Sequence, residues 1–273
     1  MADTSPNYVS QRIDVPVAFE ALFSHFYVAG NHSSDSLTKT LLPSFQSMMI
    51  FSFGEAVTLR SRQNSQITLD KCLVFGPIKQ AFEYTLPPGA EILVVSFKDD
   101  AFYRVFESPP LEKNTAIHPD NLVDESCFTA LWQALKQEAD ANSRVNHILN
   151  FSQPYIRQRT LLSEQLSNIK NTNADTVKSL AELQQKTTRT IQSHHKKYLG
   201  YSAKEFKRYQ RFSKAISQVQ SRLAAGSKVD WHDVIEACDY YDQSHLIRDF
   251  QYYFELSPSQ YLKFQQDICG PIG

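Results

Sequence analysis

The chain of 273 residues carries 28 lysines and arginines against 29 aspartates and glutamates, a formal net charge of −1, and 42% of its residues are hydrophobic. This composition excludes a wholly disordered or fibrous protein, and no stretch reaches the roughly 18 apolar residues of a membrane span. The length suits two domains that each close a core. Because the amino terminus lacks the basic start and apolar run of a secretory signal, we expect a cytoplasmic protein with no membrane partner.

The small net charge hides an uneven distribution along the chain. Residues 1–149 contain 11 basic and 17 acidic side chains, a net of −6, whereas residues 150–273 contain 17 and 12, a net of +5. The excess is largest in residues 178–228, where 12 basic residues face two acids. Such a local field favours a polyanionic partner, most simply nucleic acid, although a solvated helix face would carry the same charges.

The first 115 or so residues have the pattern of strands. Strand-length apolar runs at 47–53, 72–75 and 91–97 are separated by turn-forming glycines and prolines. This pattern predicts a small β barrel or sandwich. An amphipathic helix is expected over 126–142, and the polar stretch after it places the domain boundary between about 143 and 156.

Helical periodicity dominates from Leu161 onward, so the chain is predicted to be α+β. We divide it into a sensing or assembly domain (1–145), a linker (146–158) and an all-α domain of about seven helices (159–273). The longest helix is expected from Ser202 to Leu223, where apolar residues recur every three or four positions. Side chains suited to cap helices stand at Thr187, Ser202, Asp230, Asp242 and Ser257.

Two short helix pairs flank the long helix. In the first, residues 176–184 are followed by a tight turn and a helix over 187–198; in the second, 230–238 lead to a helix over 242–254. A helix, a turn of three or four residues and a second capped helix place that second helix in a major groove of DNA. The pattern predicts two helix-turn-helix units.

The second helix of each pair has an apolar face and a polar face. Arginine and glutamine on the polar faces can pair with the edges of guanine and adenine, and serine and lysine more often hold phosphates. The residues expected to face inward are Ile191, His195 and Tyr198 in the first helix, and Leu246, Phe250 and Tyr253 in the second. Those expected to face outward are Arg189, Gln192, Ser193 and Lys196 in the first helix, and Gln243, Ser244, Ile247, Arg248 and Gln251 in the second.

Two segments resemble the AraC family of transcription regulators. The run Asp242-Gln-Ser-His-Leu-Ile-Arg-Asp-Phe250, followed by Phe254-Glu-Leu-Ser-Pro-Ser-Gln-Tyr261, is similar to the family signature. Leu199-Gly-Tyr-Ser-Ala-Lys-Glu-Phe206, with Arg211-Phe212, resembles the join between the first recognition helix and the linker helix. The resemblance covers about residues 160–265. It implies two recognition helices that enter successive major grooves of one duplex.

The resemblance also implies roles for individual residues. The base-reading candidates are Arg189, Gln192 and Ser193 in the first helix, and Gln243, Ser244, Ile247 and Arg248 in the second. His245 is expected near the DNA backbone, and Thr190, Lys196 and Lys197 complete the predicted DNA-binding set. Ser193 stands where the family usually has arginine, His195 where it has a core phenylalanine, and Asp239 at a turn position that usually holds glycine.

The second motif is acidic. Residues 229–273 contain two basic residues against eight acids, a net of −6. Because DNA phosphates repel this charge, we expect the first motif to supply most of the affinity and the second to adjust register or specificity. The same charge leaves open an interaction protein that kept the fold but lost DNA binding.

The amino-terminal domain resembles the cupin-like domains attached to many AraC-type regulators, through Leu41-Leu-Pro-Ser-Phe-Gln46, Gly76-Pro77 and the segment 96–106. In such regulators this domain binds a small effector, dimerises, or both, and RNA polymerase is a further partner that the regulator role implies. His25, His32, His118 and His147 lack the H-x-H spacing of a metal cupin, so we predict no metal and no cofactor. Because the sequence offers no Ser/His/Asp or Cys/His constellation at suggestive spacing, we also predict no catalytic residue. A cupin-type enzyme with an accessory helical domain stays as the alternative.

Overall fold

The computed structural model describes residues 3–5, 8–61, 66–111, 115–123, 126–155, 159–167 and 174–263. Within them, the amino-terminal part is mostly β and the carboxyl-terminal part is helical, which confirms the predicted fold class. The strands are β1 (Asp3–Ser5), β2 (Tyr8–Ile13), β3 (Phe23–Asn31), β4 (Leu37–Leu41), β5 (Met48–Phe53), β6 (Val57–Ser61), β7 (Gln66–Leu69), β8 (Cys72–Phe75), β9 (Phe82–Leu86), β10 (Glu91–Phe97) and β11 (Ala116–Ile117). The helices are α1 (Ala101–Phe106), α2 (Asp120–Val123), α3 (Cys127–Leu135), α4 (Ala141–Ser152), α5 (Leu161–Ser167), α6 (Ala174–Leu183), α7 (Thr188–Leu199), α8 (Ala203–Ala224), α9 (Trp231–Ala237), α10 (Gln243–Phe254) and α11 (Pro258–Lys263).

The strands form two antiparallel sheets. The larger has the order β1-β2-β3-β10-β5-β8-β11, and the smaller has the order β4-β9-β6-β7. The predicted strands at 47–53, 72–75 and 91–97 correspond to β5, β8 and β10. β5 and β10 pair directly, with Met48 opposite Ser96 and Phe53 opposite Glu91.

The central strands of the larger sheet, β5 and β10, are buried on both faces, which explains their unbroken apolar runs. Ile50 and Val94 point toward the smaller sheet and join the core between the two sheets. Phe51 and Val95, one position further along, point the other way and pack with residues of α1, α3 and α4. Successive side chains of a strand alternate between faces, so a strand with two covered faces needs no polar positions.

The helix predicted over 126–142 is interrupted. It ends at Leu135, and the carboxylate of Asp140 accepts hydrogen bonds from the amides of Asn142 and Ser143, which begins α4. The part of the predicted linker up to Ser152 is therefore helical, because Val145, Ile148 and Leu149 pack on the β core. The division into domains at 1–145 and 159–273 stays a prediction.

Seven helices, α5 to α11, form the carboxyl-terminal part of the described chain. The long helix α8 begins where it was predicted: the Ser202 side chain bonds the amide of Glu205, and the Glu205 carboxylate bonds the amide of Ser202, a capping box. Phe212, on its apolar stripe, is completely buried and stacks on Tyr253 with ring centroids 4.5 Å apart. This aromatic contact packs α10 against α8.

The helical core is completed by residues of the β region. Leu42, Phe45 and Ala81 belong to the same buried cluster as Phe212 and Tyr253. The Phe45 ring stacks on Tyr209 at 4.4 Å, and the Tyr209 hydroxyl donates a hydrogen bond to the carbonyl of Pro43 at 3.0 Å. The amide of Ala81 donates to the carbonyl of Tyr253 at 2.9 Å. The two parts of the chain therefore share this core, and the β region has two further buried clusters of its own.

Candidate nucleic-acid interface

The first helix pair, α6 and α7, turns through residues 184–187. Gln185 has a φ of 50°, and the amide of Lys186 donates to the carbonyl of Ala181 at 2.8 Å. The Thr187 side chain then accepts a hydrogen bond from the amide of Thr190 at 3.1 Å, as its predicted capping role requires. Helices commonly end with a residue in the left-handed conformation, and the amide of the next residue then donates to the carbonyl five positions before it.

The faces of α7 are divided as the sequence predicts. Ile191 and His195 are buried and Tyr198 is half-buried. Thr190 is half-buried, and its hydroxyl lies 2.8 Å from that of Thr187. The other predicted DNA-binding residues of α7 are exposed: Arg189, Gln192, Ser193, Lys196 and Lys197.

His195 is a buried polar residue of α7 whose ring makes a hydrogen bond. Its Nδ1 lies 2.7 Å from the carbonyl oxygen of Tyr201, and because a carbonyl only accepts, Nδ1 carries the hydrogen. Burial lowers the pKa of His195, so the ring is neutral at pH 7. A neutral imidazole bonded to the segment between α7 and α8 helps to fix the end of α7.

The second helix pair, α9 and α10, repeats the same turn geometry. Asp239 has a φ of 58°, so it adopts the left-handed conformation expected at this turn position. The amide of Tyr240 then donates a hydrogen bond to the carbonyl of Ile235 at 3.1 Å. The Asp242 carboxylate caps α10 by accepting from the amide of His245 at 2.7 Å. Both pairs therefore present a second helix with a satisfied amino terminus.

The outer face of α10 is only partly free. Gln243, Ser244 and Arg248 are exposed, and Ile247 is half-buried. His245 is also half-buried, and its Nε2 accepts a hydrogen bond from Nη2 of Arg211 at 2.7 Å. Three of the five predicted positions of α10 thus stand in solvent.

The arginines of α8 are engaged in ion pairs with the second motif. Arg208 and Arg211 bind the buried carboxylate of Asp249. Arg222 binds Asp233 at 2.9 Å. The exposed basic residues of the 178–228 segment are Lys178, Lys186, Arg189, Lys196, Lys197, Lys204, Lys207, Lys214 and Lys228. The positive excess inferred from the sequence is therefore carried by lysines and by Arg189.

The β region stands beside the outer face of α7. An open cleft of about 490 Å³ is lined on one side by Pro109 and Pro110. Its other side includes four predicted DNA-binding residues: Gln192, Ser193, Lys196 and Lys197. The Lys197 ammonium lies 5.3 Å from the centre of the Tyr103 ring, and a hydrogen bond with Tyr103 raises the pKa of Lys197. Sequence reasoning missed this neighbour, because no local pattern joins α7 to α1.

The described residues also bear on two other kinds of site, metal centres and membrane spans. They contain no group of three or more histidine, cysteine or acidic side chains arranged to hold a metal ion. Each helix in the described ranges is too short or too polar to cross a membrane.

Comparisons with known proteins concern the helical part most directly. Residues 180–263 match the family model described as a helix-turn-helix domain. No curated protein sequence matches the chain. Among solved structures, ToxT from Vibrio cholerae is similar at 12% identity and a TM-score of 0.42, covering 97% of this chain and 100% of its own. Unsaturated fatty acid bound ToxT from Vibrio cholerae strain SCE256 gives 13% identity and a TM-score of 0.43, covering 99% of each chain.

A third structure is similar to a smaller part of the chain. A mutant of the oxalate decarboxylase OxdC from Bacillus subtilis gives 10% identity and a TM-score of 0.27, covering 35% of this chain and 26% of its own. At these TM-scores none of the structures assigns a ligand or a residue role to this chain. The match to residues 180–263 agrees with the two capped helix pairs found there. The chain therefore carries an AraC-type helix-turn-helix domain, which confirms the family resemblance of its carboxyl-terminal part.

Proposed function

We propose that the chain is a sequence-specific DNA-binding transcription regulator in which α7 and α10 enter successive major grooves of one duplex. One observation carries the proposal: both helices bury their apolar faces, both have a capped amino terminus, and both hold arginine, glutamine and serine in solvent. These side chains make the hydrogen bonds by which proteins read base edges and hold phosphates.

The two motifs contribute unequally in this proposal. The exposed lysines and Arg189 surround α7, whereas the outer face of α10 carries Arg248 as its basic residue. Around α9 and its turn, Asp230, Glu236 and Asp239 are exposed acids that DNA phosphates would repel. The first motif thus supplies most of the affinity, and the second selects the site.

Replacing one arginine in each motif tests this division. Arg189→Ala is expected to weaken binding by about 1–3 kcal/mol, which is what a bidentate arginine contact to a base contributes. Arg248→Ala is expected to weaken binding by less. Fluorescence anisotropy on a duplex recovered from a random pool measures both, and thermal unfolding checks that neither exposed substitution alters the fold. An equal or larger loss from Arg248→Ala would contradict the unequal division.

Salt dependence separates this proposal from an interaction protein that has lost DNA binding. Affinity for DNA falls by about 0.9 log units per log unit of salt for each phosphate neutralised. A gel shift of genomic fragments at two salt concentrations therefore measures the number of phosphate contacts. Absence of any salt-sensitive shift would favour the interaction protein.

Among the described residues, one arrangement of side chains bears on the enzyme alternative. Sγ of Cys72 lies 3.4 Å from Nε2 of His118, and Nδ1 of His118 lies 3.5 Å from the carboxylate of Asp120, the order of a thiol nucleophile and its base. However, burial raises the pKa of the Cys72 thiol to about 12, and the Asp120 carboxylate accepts from the amides of Phe128 and Thr129. A protonated, buried thiol is a poor nucleophile, so we assign it no catalytic role.

Further partners belong to the proposal as predictions from the family resemblance. They are RNA polymerase, a small effector bound by the amino-terminal domain, and a second copy of the chain. The proposal places the protein in the cytoplasm, where these partners and DNA meet. Activation and repression are both compatible with it, since the direction depends on where the bound site lies relative to a promoter.

A further inference from the structure

The second recognition helix, α10, carries a carboxylate on its buried face. Asp249 is 0% exposed, and it follows Arg248, whose side chain is exposed. Its Oδ1 accepts a hydrogen bond from Nε of Arg208 at 2.7 Å, and its Oδ2 accepts from Nη2 of Arg211 and from the Tyr240 hydroxyl, both at 3.0 Å. Asp249 is therefore shielded from solvent and accepts hydrogen bonds from three donors within the protein.

The donors come from two other elements of the domain. Arg208 and Arg211 lie on α8, and Tyr240 lies in the turn before α10. Arg211 also donates to Nε2 of His245, and its guanidinium lies 4.6 Å from the centre of the Tyr240 ring. One buried carboxylate thus joins the linker helix, the turn and the recognition helix.

The charges and hydrogen bonds of this cluster are satisfied only in a particular orientation of α10 on α8. Burial alone would lower the pKa of Arg211, but the hydrogen bond to Asp249 and its charge outweigh that effect, so the pKa is raised. A buried charge is tolerated only while its hydrogen-bonding partners stay in place, because a buried charge without partners is strongly destabilising. Rotation of α10 about α8 would separate Asp249 from at least one of its donors.

We infer that Asp249 is a positioning residue that fixes the orientation of α10 on α8, and thereby the distance along DNA between the sites read by α7 and α10. The inference rests on the proposed function, because it concerns how the two recognition helices are held for one duplex. Arg208 and Arg211 act within the protein in this account, although their charges would otherwise suit phosphates. Half-site spacing is the quantity that this cluster controls, since the recognition helices meet DNA at a separation fixed by the protein.

Binding to duplexes of altered spacing tests the inference. A site recovered from a random pool with the full-length wild-type chain is rebuilt with one base pair inserted or removed between its halves. Wild type is expected to prefer the native spacing by tenfold or more. Asp249→Asn, which keeps the size of the side chain and removes its charge, is expected to bind the native site more weakly and to reduce that preference to about threefold or less.

Two further variants make the result specific. Asp233→Asn removes an equal charge from an exposed ion pair between Arg222 and α9, so it should keep the wild-type spacing preference. Tyr240→Phe removes a single hydroxyl donor from Asp249 and should reduce the preference partially. If Asp249→Asn does not fold, as judged by circular dichroism, Tyr240→Phe alone decides the outcome. If a substitution only reduced the amount of folded protein, the apparent affinities for the native and altered spacings would fall by the same factor. The ratio between them would then stay unchanged.

The outcomes separate the inference from the function on which it rests. If wild type binds one spacing best and the folded variants keep the same ratios, the positioning role is wrong while the proposed function stands. If wild type binds its site with equal affinity at every spacing, the positioning role is again wrong. If wild type shows no sequence-specific binding, both are overturned.

Discussion

Phe45→Ala is expected to lower the free energy of unfolding by about 3–5 kcal/mol and to split thermal unfolding into two transitions. The ring is 4% exposed and contacts Tyr209, Tyr201 and Phe206, all from the helical part of the chain. Phe45 itself has a φ of 55°, a conformation that costs a non-glycine residue roughly 1 kcal/mol. Alanine keeps the Cβ and hence that cost, but it loses the packing that offsets it.

The split is expected because Phe45 belongs to the β region but packs inside the core of the helical part. Without its ring, the helical core loses the largest of the side chains that the β region contributes to it, and it should unfold separately. Differential scanning calorimetry would resolve the two transitions. Phe51→Ala is a suitable control, because Phe51 is completely buried within the β region and packs against α1, α3 and α4. A single transition with an unchanged midpoint in Phe45→Ala would contradict the shared core.

Gly200→Ala is expected to destabilise the protein by about 2–5 kcal/mol, because it adds a steric conflict to backbone strain. Gly200 ends α7 with a φ of 77°, and a Cβ there would lie 2.8 Å from Cβ of Pro110 and 2.8 Å from Cγ of Pro77. A positive φ costs an L-residue roughly 1–2 kcal/mol, and overpacking costs about 1–3 kcal/mol more. Both neighbours are rigid proline rings of the β region, so little relaxation can relieve the conflict.

Gly226 supplies the matched control for this substitution. It has a φ of 66° and follows the end of α8, but a Cβ there would meet no atom within 4 Å. Gly226→Ala should therefore lower the free energy of unfolding only by the cost of a positive φ. The difference in the free energy of unfolding between the two variants, measured by chemical denaturation, reports the contact between α7 and the β region. Equal losses from the two substitutions would mean that Pro77 and Pro110 do not bear on α7.

The features that could be predicted from the sequence are those with a local cause. Thr187, Ser202, Asp230 and Asp242 each cap a helix because a short polar side chain reaches an amide two or three residues ahead. The runs of β5 and β10 identified strands because their residues are buried on both sheet faces. The outward and inward faces of α7 followed from helical periodicity alone.

The features that could not be predicted depend on contacts between residues distant in sequence. Phe45 gave no signal of its partner Tyr209, and Asp249 has the same appearance in the sequence as an exposed acid of an amphipathic helix. The sequence therefore overestimates the negative charge on the surface of the second motif, because Asp249 is buried and paired with Arg208 and Arg211. The left-handed Gln185 was also missed, because glutamine carries no preference that marks such a turn.

The central claim, that α7 and α10 both read one duplex, is tested most directly by a methylation-protection footprint. The footprint follows guanine N7, an acceptor exposed in the major groove, on a site recovered by selection. The account predicts two protected patches on one face of the duplex, with centres about 10 base pairs apart, and in Arg189→Ala a higher protein concentration to protect either patch, because α7 supplies most of the affinity. A single patch, or two patches on opposite faces, would contradict it.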